Sequence, residues 1–524
     1  MLKITHSPDD RLFLYVKGMP EEIDAVRQSL TFVDQKLWKE YQRALEAGQP
    51  MEPPTPVCFF DDDRSRFLLG HWPIVRDDAV QQYIPMEVYL PKDAATVPEV
   101  LPLEGITYRD YQLEAIQIAL AKRYGIIKQA TAAGKTIVAA GILTSANRPS
   151  LYLVTQVPLL HQGLASFQRF GVPDLGIVGD GNRRIDRNTV ADARYLAQLI
   201  KRGDTEIVNW LSGVEVLIVD ECHRAPAAGW TTVVLSCPAS RIRIGLSGTP
   251  FESRDRESLR DIQLIGMFGN SEGDALIYET PARELMESGF IAKPKIYMVP
   301  IHAPKVNRPA IKTRWARGRQ YHKIYDEGIV SHSTRNTRAT QIIYTLVRKA
   351  GLQTLVLVQQ IDHGRKILES LTSMGISAVF VAGNKQVFYA GQEEAETDII
   401  TNFRSETVSR FARREFEVLI GSPVFSEGYD LPNGMVEAAV LLSGGKGLIP
   451  VLQRLGRALR PKPDNNEVVI IDFFDSQHFY LEAHSKRRSN EYQAEGYEVY
   501  GWGHFIRDFL STSPVSLTPT TQGG

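Results

Sequence analysis

The sequence predicts an α/β protein: two tandem doubly wound parallel-sheet domains with a small N-terminal α/β accessory domain. Three observations carry this. Short β-branched runs alternate with amphipathic segments in two successive series, the pattern of β-α-β units whose strands are buried on both faces. A small-residue loop, Ala130-Thr131-Ala132-Ala133-Gly134-Lys135-Thr136, directly follows the apolar run Gly125-Ile126-Ile127. A paired acid, Asp220-Glu221, closes the run Val216-Leu217-Ile218-Val219. At 524 residues the chain exceeds what one core supports.

Residues 1–100 differ in texture from the rest and are expected to form the accessory domain. Leu12 to Val16 reads as a strand, Glu21 to Leu30 as a helix, and Cys58 to Gly70 as a hairpin with a polar turn between aromatic arms. The Pro-rich stretch Gln49 to Pro56 is a loop. Residues 101–290 carry the first strand series: Ile126-Ile127, Leu151 to Val154, Val216 to Val219 and Ile242 to Leu246. Residues 291–340 read as a basic interdomain connector. Residues 341–510 carry the second series: Thr354 to Val358, Ala378 to Val381, Val418 to Ile420, Ala438 to Leu442 and Val468 to Ile471. The polar residues 511–524 read as a disordered tail.

The first loop has the composition of a phosphate cradle. Backbone amides opened by small residues, one lysine and a following helix N-terminus hold the phosphates of a nucleotide such as ATP. Lys135 is placed on the β- and γ-phosphates, with Ala132, Ala133 and Gly134 forming the cradle and the Thr136 hydroxyl on Mg²⁺. The strict pattern asks for glycine where Gln129 stands, and Ala132-Ala133 replaces its usual glycine-containing pair. Asp220 at a strand's C-terminal end would hold Mg²⁺, and Glu221 would polarise the attacking water.

With these residues in place the chain resembles the superfamily-2 helicases and translocases over roughly Tyr108 to Pro461, with the motifs in the family's order. That resemblance implies two RecA-like domains. Tyr108-Arg109-Asp110-Tyr111-Gln112 resembles the adenine-sensing motif, so Arg109 and Gln112 join the nucleotide-binding set, Gln112 on the base edge. Thr155 to Gln162 resembles a loop on the nucleic-acid backbone, with Gln156 as its contact. Ser247-Gly248-Thr249-Pro250 resembles the motif coupling hydrolysis to nucleic acid, which adds Ser247 and Thr249. In the second domain Val356 to Gln359 resembles the fourth motif, and Ser422 to Pro432 the fifth, contributing Gly428 and Asp430 to the nucleotide. Gln453 to Arg460 resembles the sixth; Gln453, Arg457 and Arg460 fall at i, i+4 and i+7 and share a helical face. They would stabilise charge on the transferring phosphoryl when the domains close. The accessory domain, the DECH box and the SGT turn most resemble phage branch-migration helicases of the UvsW type, and more distantly XPB-like and RecG-like translocases.

The activity this implies is ATP-dependent DNA unwinding or translocation that remodels branched DNA in replication, recombination or repair. An RNA-directed helicase and a nucleotide-gated clamp without productive hydrolysis are the alternatives. The implied partners are branched, forked or duplex DNA, with single-stranded-DNA-binding or recombination proteins beside it, and the expected state is a monomer. Arg314, Trp315 and Arg317 in the connector are placed on nucleic acid as a basic run with one aromatic. Lys486-Arg487-Arg488 reads as solvated surface. A net charge of −1 announces no overall basic field, so any groove for DNA is local. The three cysteines have no metal-ligand or disulfide spacing. No apolar stretch approaches the roughly 20 residues of a membrane span, and Met1 to Asp10 lack a signal-peptide core, so the expected place is the cytoplasm of a bacterial or phage-infected cell.

Overall fold

In a computed structural model, the structure describes residues 1–510 apart from 49, 92–95, 131–132, 253–254, 291, 308–313, 383–385, 390–395, 398–402, 423–435, 446–466 and 495. The chain divides into two compact units, one of Met1–Ala130 with Gly134–Thr280, the other carried by Pro281 onward.

The first unit is built on an eight-stranded sheet in the order Asn182–Arg184, Leu175–Gly179, Asn188–Asp192, Ser150–Val154, Val216–Asp220, Ile242–Ser247, Tyr124–Gln129, Leu276–Thr280. The described pairings are parallel except that of Asn182–Arg184 with its neighbour. Successive side chains of a strand point to opposite faces, and the two cores follow that alternation. Tyr152, Val154, Val216 and Ile218 enter one core with the helices Asp110–Lys122, Lys135–Ala146 and Val157–Arg169. Leu151, Leu153, Leu217 and Val219 enter the other, under Ala193–Lys201, Ala228–Leu235 and Leu259–Phe268. Both faces are covered, which is why the strands read as continuous apolar runs rather than alternating ones.

The N-terminal sheet is five-stranded and mixed: Phe60–Asp61, Arg66–Leu68, Asp10–Lys17, Leu2–Ser7, Met86–Tyr89. Its hairpin pairs Phe60 with Phe67, as the aromatic arms suggested. It has its own apolar core, and Tyr124 of the larger sheet is part of that core. The two sheets are keyed together at the short turn Leu69–His71. A Cβ at Gly70 would lie 2.0 Å from the Ile265 carbonyl oxygen, and one at Gly266 would lie 2.3 Å from His71 Nε2. His71 is fully buried and bonded through Nε2 to the Ile262 carbonyl at 2.9 Å. The N-terminal sheet is therefore packed into the first unit rather than tethered to it.

The second unit carries nine described strands in the order Glu396–Thr397, Gln386–Phe388, Ala378–Ala382, Val418–Gly421, Thr354–Leu357, Ala438–Leu441, Glu467–Asp475, Lys293–Ile301, Glu498–Gly501. The first two lie antiparallel to their neighbours; the rest are parallel. The expected connector is corrected here. Lys293–Ile301 is an interior strand of this sheet, paired with Glu467–Asp475 along its whole length, and the helix Ser333–Tyr344 contributes Ala339, Ile342 and Ile343 to the core. Prolines 294 and 300 sit near the strand's two ends, where a missing N–H interrupts the ladder least. Among the described residues no helix is long and apolar enough to cross a membrane.

Candidate active site

The phosphate loop is poised by one glycine. Gly134 caps the helix Lys135–Ala146 in a left-handed conformation (φ 89°), and a Cβ there would lie 2.5 Å from Gln112 Nε2, so any other residue would be strained and would displace that side chain. The helix's first N–H groups and the positive end of its dipole then face the loop, an anion site by construction. Ala133 is buried; Ala132 lies outside the described residues. Gln129, where the strict pattern has glycine, ends the preceding strand and is buried opposite Thr280.

The strand Val216–Asp220 delivers the acids. Asp220 Oδ1 accepts the Glu221 N–H at 3.0 Å, and Oδ2 accepts the Tyr152 hydroxyl at 3.0 Å. Glu221 is left-handed (φ 50°), a conformation that costs a non-glycine residue on the order of 1 kcal/mol or more. Bonds on both sides hold it there. Its carboxylate lies 3.1 Å from Lys135 Nζ and 3.4 Å from His223 Nδ1, and its carbonyl accepts the Arg224 N–H at 3.0 Å. Ser247 Oγ reaches the same carboxylate at 3.4 Å and His223 Nδ1 at 3.1 Å, while the Thr249 N–H donates to Ser247 Oγ at 3.2 Å. Lysine, glutamate, histidine and serine from three separate motifs thus form one continuous chain.

The electrostatics follow from burial and charge. Burial opposes ionisation of Glu221, but Lys135 and then His223 overcome it and hold the carboxyl well below the usual range. Burial likewise opposes charge on Lys135, and Glu221 with Asp220 outweighs it, raising the ammonium's pKa. Asp220 is pushed the other way, upward, first by burial and then by the Glu221 charge. The two adjacent carboxylates are thus shifted in opposite directions.

The donor set fits Mg²⁺. Among the described residues no group of three or more histidine, cysteine or acidic side chains forms a protein-only cage. Mg²⁺ is normally held by one or two carboxylates together with substrate phosphates, and Asp220 with the Thr136 hydroxyl offers that hard-oxygen set beside the phosphate loop. When bound, the cation would neutralise charge on the phosphates. Lys135 would turn from Glu221 to a phosphate, releasing the Glu221 carboxylate to accept a proton from water.

Ser247 and Thr249, expected on nucleic acid, are buried, and Ser247 spends its hydroxyl on the acidic box instead. A buried hydroxyl cannot touch DNA in this conformation; its service is to the coupling between box and turn. Gln112 is also buried. Its Oε1 accepts the Arg109 N–H at 3.1 Å and its amide abuts Gly134, so it ties the first helix to the loop. The Arg109 guanidinium donates to the Tyr111 hydroxyl at 3.0 Å. Gln156 stands half-buried as the N-cap of Val157–Arg169. Arg314, Trp315 and Arg317 open the helix Arg314–Tyr325, their side chains outside the described residues. Gly428, Asp430, Gln453, Arg457 and Arg460 lie outside the described residues altogether.

Sequence reasoning missed two things. Tyr152 was passed over inside an apolar run; a tyrosine there was the signal, since a buried hydroxyl needs a partner. Arg488, read as solvated, is buried against Asp472 at 2.8 Å and donates to the Gly445 and Phe473 carbonyls. Arg335 is likewise buried against Asp475 at 2.8 Å and donates to the Leu442 carbonyl. These two arginines hold the backbone that follows the strand Ala438–Leu441.

Comparison with known proteins agrees with the architecture. Residues 105–252 match the family model described as type III restriction enzyme, res subunit. The chain is 27% identical over 394 residues to the DNA 3'-5' translocase XPB2 of Sulfurisphaera tokodaii, covering 72% of this chain and 83% of that protein. It is 23% identical over 381 residues to the ATP-dependent DNA helicase uvsW of Enterobacteria phage T4, covering 70% and 68%. Among solved structures, a fragment assigned to the HsdR subunit of a type I restriction enzyme from Vibrio vulnificus shares the fold, with a TM-score of 0.50 at 17% identity over 89% of this chain and 82% of that one. On its ordered motifs, its fold and these relatives, the chain is similar to the superfamily-2 helicases and translocases.

Proposed function

We propose that the chain is an ATP-dependent, Mg²⁺-requiring DNA helicase or translocase that remodels branched DNA by branch migration, fork regression, and unwinding or annealing. The observation that carries the hydrolytic half is the chain Lys135–Glu221–His223–Ser247, which joins the phosphate loop to the acidic box and the SGT turn. A binding clamp has no use for a glutamate held ionised beside a lysine and linked onward to a third motif. The DNA half is supported by the wording of the motifs, DECH and SGTP, and by relatives named as DNA helicases and translocases. Gln112 and Arg109 serve the adenine side, Gly428 and Asp430 the nucleotide, and Gln453, Arg457 and Arg460 the phosphoryl charge. Gln156, Arg314, Trp315 and Arg317 serve the nucleic acid. The chain works as a monomer in the cytoplasm, alongside single-stranded-DNA-binding or recombination proteins.

The test is ATP hydrolysis compared across single-stranded DNA, duplex, forked DNA, a four-way junction and RNA. Greatest stimulation by forks and junctions supports the reading. Stimulation by RNA alone, or equal basal turnover with every nucleic acid, contradicts it.

A further inference from the structure

Tyr152 is the middle residue of the strand Ser150–Val154, and its neighbours in that strand are apolar or small. It stands opposite Ile218 in the parallel register, and Asp220 lies two residues farther along the partner strand, on the same face. The phenol therefore reaches along the sheet surface to the strand's C-terminal edge, where its hydroxyl meets Asp220 Oδ2 at 3.0 Å. The ring has little freedom to turn away. It packs against Phe167 with centroids 5.0 Å apart, and the helix Val157–Arg169 presents Gly163 to it, where even a Cβ would sit 3.4 Å from the ring.

Packing alone does not require that hydroxyl. Phenylalanine would fill the same space, and a buried phenol is unfavourable unless its O–H is bonded. What the hydroxyl does is fix the carboxylate. With the Glu221 N–H on Oδ1 and the phenol on Oδ2, both Asp220 oxygens are held and the plane of the group is set. A tyrosine hydroxyl carries its proton at neutral pH and so serves as a donor to the carboxylate. The Thr136 side chain lies within hydrogen-bonding reach of the same phenol.

We propose that Tyr152 is a positioning residue for the divalent cation, holding Asp220, and with it Thr136, in the orientation in which they take up the metal–nucleotide complex. The proposal rests on the nucleotide reading above. Mg²⁺ demands near-ideal octahedral geometry, so a carboxylate free to rotate binds it less well. Loss of an outer partner of this kind typically costs 10- to 100-fold in metal affinity.

The test is Tyr152→Phe in the full chain, with two readouts. One is the Mg²⁺ concentration giving half-maximal ATP hydrolysis; the other is Mn²⁺ uptake in the presence of ADP, followed by electron paramagnetic resonance. Both midpoints are expected to rise about tenfold or more, with metal-free ADP binding unchanged and saturating Mg²⁺ restoring most of the turnover. Leu153→Ala, a larger packing loss on the other face of the strand, is the control: it should lower thermal stability and leave both midpoints in place. Unshifted midpoints in Tyr152→Phe, an equal shift in Leu153→Ala, or a wild-type chain that takes up no Mn²⁺ with ADP would each overturn the proposal. A wild-type chain that binds Mn²⁺ with ADP but hydrolyses no ATP on any nucleic acid refutes the motor reading alone, and the binding readout then still decides on Tyr152.

Discussion

Lys135 Nζ lies 3.1 Å from Glu221 Oε1, joining the phosphate loop to the acidic box across 86 residues of sequence. Each group is mostly buried, and each holds the other charged against the cost of burial. In the proposed function, nucleotide binding would draw the lysine away from this pair.

Replacing that lysine removes both the phosphate contact and the partner of a buried carboxylate. Lys135→Ala should lower nucleic-acid-stimulated ATP hydrolysis at least about a hundredfold, in line with the loss of one preorganised electrostatic group. It also leaves Glu221 uncompensated, which is strongly destabilising for a buried pair. Lys135→Ala with Glu221→Gln should therefore be more thermally stable than Lys135→Ala alone. Turnover of Lys135→Ala at the normal rate, measured by phosphate release, contradicts the assignment of the loop.

His71 makes the first unit acid-sensitive. Burial pushes its pKa down to about 4 from 6.5, the Ile262 carbonyl opposing only in part. The unfolded chain binds this proton below 6.5 and the folded chain only below about 4, so the unfolded state holds more protons in that window. Stability falls as pH drops from 6.5 toward 4, by on the order of 3 kcal/mol in all. The urea midpoint of the wild-type chain should drop between pH 7 and pH 5, and His71→Phe should flatten that slope. A slope equally steep in His71→Phe counts against the role given to this residue. Removing residues 1–100 should destabilise the first unit outright, because it strips Tyr124 of its core.

Much of this fold can be read from the amino acids because doubly buried strands need runs of branched apolar residues. The runs at Ile126, Leu151, Val216, Ile242, Thr354, Ala378, Val418, Ala438 and Val468 are strands. Lys293–Ile301 was hidden by its prolines and lysines, and Asn188–Asp192 by its polar residues. In the latter strand, though, Asp192 is buried and caps the next helix through the Arg194 and Tyr195 N–H groups. The meeting of Lys135 with the acidic box agrees with motifs that are short and local in sequence. Tyr152 was not legible, nor were the buried pairs of Arg335 and Arg488, because their partners lie 68, 140 and 16 residues away in sequence. No local pattern announces a contact of that kind.

Arg457 should act on the transition state rather than on binding. Arg457→Ala is expected to lower kcat by about a thousandfold, the usual weight of an arginine finger, with ATP affinity changed only a few-fold. Equilibrium binding of a fluorescent ATP analogue beside steady-state hydrolysis separates the two. Equal losses in both would make Arg457 a binding residue.

The central claim, that Glu221 held by Lys135 is the group that polarises the attacking water, is tested most directly by Glu221→Gln in a single-turnover experiment with radiolabelled ATP and forked DNA. The account predicts ATP bound with near-normal affinity and retained unhydrolysed, with the chemical step slowed at least about a hundredfold. Hydrolysis at the wild-type rate would contradict it.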